Sequence, residues 1–99
     1  YKDALQFYNL EQFPIEYAMI QSNLGDTYSN LAHVEDEVKN REKTIECYTE
    51  CLKVYTLEKL PILYAIAQNN LGIEYGRLAG VEDSARVINN IKYGSLISE

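Results

Sequence analysis

The sequence predicts an all-α chain of antiparallel helix pairs stacked in series, with about five helices. Three observations carry this expectation. The chain repeats itself at a spacing of 47 residues, each unit places apolar residues at helical intervals, and each of the two prolines opens such a pattern rather than interrupting one.

The repeat is plain in "QSNLGDTY" (21–28), which returns as "QNNLGIEY" (68–75). At an offset of 47, Pro14 pairs with Pro61, Ile15 with Ile62, Tyr17 with Tyr64 and Ala18 with Ala65. Gln21, Asn23, Leu24, Gly25 and Tyr28 pair with Gln68, Asn70, Leu71, Gly72 and Tyr75. In all, 14 of the 24 positions from 13 to 36 are identical to their counterparts. Upstream, Tyr1, Leu5, Tyr8, Leu10 and Glu11 match Tyr48, Leu52, Tyr55, Leu57 and Glu58. A fixed period of this size is the mark of a stacked repeat architecture.

The elements follow in order within a single domain of 99 residues. Residues 1–12 read as the trailing helix of a preceding unit, 14–60 as one full repeat and 61–97 as a second, shortened one. Pro14–His33 forms the first helix of the full repeat. Its core stripe is Tyr17, Leu24, Tyr28 and Leu31. Val38–Leu60 is its partner, with Ile45, Tyr48, Leu52 and Tyr55 at spacings of three and four. Thr44, Cys51 and Val54 broaden that stripe, so this helix is expected to touch neighbours on two sides. Pro61–Ala79 opens the second repeat. A closing helix from Ser84 to about Ile97 fits the repeat poorly: Ile88, Ile91 and Gly94 match Ile45, Tyr48 and Cys51 only with a register shift of four. The links "HVEDE" (33–37) and "GVEDS" (80–84) are expected loops, with Asp36 and Asp83 as N-caps. A glycine inside a helix costs about 1 kcal/mol relative to alanine, so Gly25 and Gly72 are expected where paired helices nearly touch.

Charge and composition narrow the function. Fifteen acids against nine bases give a net charge of −6, which argues against nucleic acid and against anionic membranes. No apolar run approaches a membrane span. The chain opens on Tyr1 rather than methionine, so it is expected to belong to something longer; a leader pattern is not read. Cys47 and Cys51 stand four apart on one helix and read as small core residues, which together with the rest places the chain in a reducing, cytoplasmic setting. His33 is the single histidine, too few for a zinc site, and is expected at a helix end. No phosphate loop, dinucleotide fingerprint, serine elbow or metal-ligand cluster is present, so neither an enzyme nor a cofactor is expected. Eight of the nine tyrosines form four repeat pairs, which points to packing rather than a binding platform.

Leu24, Gly25 and Tyr28, followed by Thr44, Tyr48 and Cys51, resemble the tetratricopeptide repeat, and Leu71, Gly72 and Tyr75 repeat the first part. The asparagine-containing variant is similar to long-period members such as the kinesin light chain repeats. The chain departs from the family pattern in Gln21 and Gln68, where tryptophan is frequent, and in Thr44, where alanine is usual. Its period of 47 exceeds the family's roughly 34. The resemblance implies a right-handed α-solenoid whose concave groove is lined by first helices and binds protein or peptide.

The face of the first helices turned away from the core stripe carries Met19, Ser22, Asn23, Asp26 and Asn30 in one unit, and Ile66, Asn69, Asn70, Ile73 and Arg77 in the next. The resemblance places this face in the groove. Asparagine amides suit peptide backbone of any sequence because they donate and accept together; they equally suit a packing role against a neighbouring helix. With Arg77 as the one base, opposed by Asp26, a carboxylate clamp is not expected, and a partner segment with basic residues fits the acidic balance. The alternative is a structural or self-assembling segment of a larger protein, associating through the exposed ends of the stack.

Overall fold

The computed structural model describes the backbone of residues 2–98 and the side chains of residues 3–90. The described chain is helical throughout its regular structure: α1 (Lys2–Phe7), α2 (Pro14–Ala32), α3 (Glu37–Cys51) and α4 (Pro61–Ser98). Four helices therefore stand where five were expected. They pack in series, α1 on α2, α2 on α3 and α3 on α4, over 64 × 30 × 18 Å.

α1 is shorter than the expected helix over 1–12. Asn9 ends the run by accepting the Gln12 amide through Oδ1 at 2.8 Å, while the Phe13 amide donates to the Asn9 carbonyl. Local capture of backbone by an asparagine side chain competes with helix in this way. Phe7, Tyr8 and Phe13 cluster over the turn, with ring centroids 4.8–5.9 Å apart.

α2 begins at Pro14 as expected, where the missing N–H is no loss. Its expected core stripe is displaced by about one residue. Tyr17, Leu24, Tyr28 and Leu31 are half-buried, and the buried residues are Ala18, Gln21, Gly25, Ser29 and Ala32. The small residues form the seam itself because they allow close approach, and the tyrosines flank it. Gly25 shows how close: an added Cβ would lie 2.6 Å from Tyr48 Cε1 and 3.2 Å from Cys47 Cβ. Gly72 has nothing within 4 Å, so the close approach expected there is absent.

The link after α2 falls where "HVEDE" was expected to place it. His33 is the C-cap residue. Asp36 stands at the N-cap of α3 but makes no side-chain cap bond; its backbone is left-handed (φ 42°, ψ 54°), a conformation Asp tolerates better than most residues. Asn40 closes the loop instead, donating from Nδ2 to the Glu35 carbonyl at 2.9 Å.

α3 ends at Cys51, nine residues before the expected Leu60. Val54, Tyr55 and Thr56 are weak helix formers, and Thr56 Oγ1 accepts the Lys59 amide at 3.1 Å to start a turn. Ending there turns Tyr55 back into the core with Ala18, Cys51 and Ala67, with Leu52, Val54 and Leu60 packed around them. As expected, α3 has neighbours on two sides, α2 and α4.

α4 starts at Pro61 and then runs straight through the expected second loop. Asp83 is thus a helix-interior residue, 3.6 Å from Arg86, and not an N-cap. The physical reason lies 47 positions after the first loop's anchor: Val87 stands where Asn40 would be, and it has no donor with which to close the reversal. Among the described residues no helix is long and apolar enough to cross a membrane.

Candidate binding groove

The outward residues of α2 and α4 flank α3. Two adjoining depressions lie between these helices. The larger, about 170 Å³, is lined by Asp26 and Ser29 of α2, Tyr48 of α3, and Asn70, Ile73, Glu74 and Arg77 of α4. The smaller, about 70 Å³, is lined by Ser22, Tyr48, Cys51, Tyr55, Leu63, Ile66, Ala67 and Asn70. They share Tyr48 and Asn70. Of the ten candidate residues, Ser22, Asp26, Ile66, Asn70, Ile73 and Arg77 are brought together in this way. Met19, Asn23, Asn30 and Asn69 are exposed beside the depressions and line neither.

The floor is set by Tyr48. Its hydroxyl donates to Asp26 Oδ1 at 2.5 Å, and burial together with that bond holds the phenol well above its ordinary pKa. Asp26 is therefore engaged by the protein rather than opposed to Arg77. Arg77 instead pairs with Glu74 at 3.1 Å.

Glu74 belongs to a buried polar cluster joining three helices. Its Oε2 is 3.0 Å from Arg41 Nη1, and both side chains are nearly inaccessible, at 3% and 2%. Ser29 of α2 donates to Glu74 Oε1 at 2.7 Å, and Arg41 Nη1 donates to the Ser29 hydroxyl at 3.2 Å. Arg41 Nη2 lies 3.5 Å from Glu37 and 3.4 Å from His33 Nδ1, while its Nε has no partner. Burying a charge is tolerated only when it is paired and hydrogen-bonded. Here the pair fixes α4 against the α2–α3 pair at one position. A wide depression of about 540 Å³ opens beside it, lined by His33, Glu37, Arg41, Arg77, Gly80, Val81 and Ser84.

Sequence reasoning missed Arg41, Glu74, Ser29 and the structural role of Tyr48 in the groove. The repeat itself hid the first three. Position 27 is Thr where 74 is Glu, position 76 is Gly where 29 is Ser, and position 88 is Ile where 41 is Arg. The available signal was the mismatch: an Arg inside an otherwise apolar stripe needs a buried partner.

The same glutamine contact does recur in both units. Gln21 Nε2 donates to the Tyr17 hydroxyl at 3.2 Å, and Gln68 Nε2 to the Tyr64 hydroxyl at 3.1 Å. The two cysteines are free and buried in the core. Burial pushes the Cys47 thiol up to about 11 and the Cys51 thiol up to about 12, and Cys51 Sγ donates to the Ala18 carbonyl at 3.2 Å. Neither thiol is prepared for nucleophilic work, which needs the thiolate. Among the described residues no three His, Cys, Asp or Glu side chains are gathered to hold a metal ion.

In comparisons with models of protein families, with curated proteins and with solved structures, nothing matches this chain.

Proposed function

We propose that the chain is a non-catalytic scaffold that binds a protein or peptide segment in the groove between α2 and α4, over α3. On this reading the helices belong to a right-handed, tetratricopeptide-like solenoid, and the groove is its concave face. The observation that carries it is the joining of both repeats in one surface: Ser22 and Asp26 from the first, Ile66, Asn70, Ile73 and Arg77 from the second, line adjacent depressions. Exposed Ile66 and Ile73 offer apolar contact. Asn70, half-buried and shared by both depressions, offers an amide able to donate and accept along an extended backbone. The net charge of −6 favours a segment carrying basic residues.

A diverse peptide array probed with the chain, alongside the Asn70→Ala/Ile73→Ala double variant checked for helicity, tests the reading. Binding lost in the folded variant supports the groove. Binding retained equally in both moves the site elsewhere. A chain that captures no peptide counts against the scaffold reading.

A further inference from the structure

The internal repeat says what should lie on each helix face, and one face is bare. The buried residues of α2 are Ala18, Gln21, Gly25, Ser29 and Ala32. Their counterparts 47 residues later on α4 are Ala65, Gln68, Gly72, Gly76 and Ala79, and all five are exposed. On α2 this seam receives α3, with the Tyr48 ring seated on Gly25. On α4 it receives nothing among the described residues: none of their neighbouring atoms lies within 4 Å of a Cβ added at Gly72 or Gly76.

The chain also carries the helix that such a seam receives. The six buried residues of α3 are Asn40, Arg41, Thr44, Cys47, Tyr48 and Cys51. At the same offset of 47 stand Val87, Ile88, Ile91, Gly94, Ser95 and Ser98, a set of apolar and small residues in which Val87 and Ile88 are 54% and 63% exposed. The packing series continues the argument. α2 lies between α1 and α3, so α4, which already has α3 on one side, is due an α3-like helix on the other.

That helix cannot reach its own seam. Residues 80–84 are helical, without a positive φ, so the arm over 84–98 points away from 61–79 along one axis. Folding back would require breaking the helix at a place where Val87 has replaced the closing Asn40. A second chain meets no such obstacle.

We propose that the face of α4 formed by Ala65, Gln68, Gly72, Gly76 and Ala79 docks residues 84–98 of a second copy of this chain. Exchange in both directions closes the pair, with two equivalent seams about one two-fold axis.

Sedimentation equilibrium from low to high micromolar tests this. The mass rises from one chain, 11.4 kDa, to two. Gly76→Arg and Ile88→Arg act on the seam and on the arm respectively. Both positions are exposed, and replacing a glycine in an exposed helix does not weaken the helix. Each variant should weaken association by about tenfold or more at unchanged helicity. Mixing the two variants should recover association above either alone, because one pairing of intact seam with intact arm remains. A single-chain mass at every concentration overturns the proposal, including the case of an arm folded onto its own chain. So does a dimer indifferent to both substitutions.

Discussion

The ring of Tyr48 occupies the space that a side chain at Gly25 would need, whereas the counterpart position Gly72 faces no neighbouring atom within 4 Å. Two glycines that look equivalent in the sequence therefore have opposite meanings. Gly25→Ala should destabilise the fold by about 1–3 kcal/mol, as overpacking does, because Tyr48 is held by Asp26 and cannot swing aside freely. Gly72→Ala, in dilute solution, should stabilise by up to about 1 kcal/mol through helix propensity. Urea unfolding of both variants checks the pair. Equal signs would refute the assignment.

The Arg41–Glu74 pair should show the asymmetry of buried charge. Arg41→Met leaves Glu74 buried with only Ser29 and Arg77, and should cost about 3–5 kcal/mol. Arg41→Met with Glu74→Leu should cost less than Arg41→Met alone, since no charge is then stranded. A double-mutant cycle by urea unfolding gives the coupling, and strict additivity would show that the two side chains do not interact.

Asp36 is a left-handed residue rather than a side-chain cap. Asp36→Gly should therefore leave stability unchanged or raise it by several tenths of a kcal/mol, because glycine adopts φ > 0 without cost. Asp36→Val should lower it by about 1–2 kcal/mol. A net loss for the glycine variant in thermal melts would restore the capping role.

The thiols give a pH signature. Both folded-state values are raised above the ordinary 9.0, to about 11 for Cys47 and about 12 for Cys51. The protonated thiols are thus the form compatible with the fold. Their contribution is complete below about pH 9 and is lost as pH rises through 11 to 12, since the unfolded chain ionises first. Thermal stability should fall across that alkaline window. At neutral pH a thiol-specific reagent should label Cys47 and Cys51 no faster than the chain opens. Fast stoichiometric labelling of the folded chain would contradict their burial.

The parts of the fold legible in the sequence are those with local chemistry. Pro14 and Pro61 mark helix starts, the "HVED" stretch marks a reversal, and small Cys47 and Cys51 sit in the core. Less legible was anything set by a partner in space. The α2 seam lies one residue from its apolar stripe because close approach selects small residues, and periodicity weighs large ones. The second reversal fails because one side-chain amide, at Asn40, has no counterpart at position 87. An i, i+3, i+4 pattern singled out residues of α2 and α4, six of which line the two depressions. It did not reveal that Asp26 and Arg77 already have protein partners in Tyr48 and Glu74.

The buried ion pair also has a mechanical side. α4 is pinned to the rest of the molecule at Glu74, and some 24 residues of helix, about 36 Å at 1.5 Å each, extend beyond that point to Ser98. It is a lever with its fulcrum about a third of the way along the helix. A tilt of about 10° at Glu74 would sweep the far end by about 6 Å over that length. Whatever loosens or tightens one guanidinium–carboxylate contact is thereby read out, magnified, at the opposite extremity of the molecule.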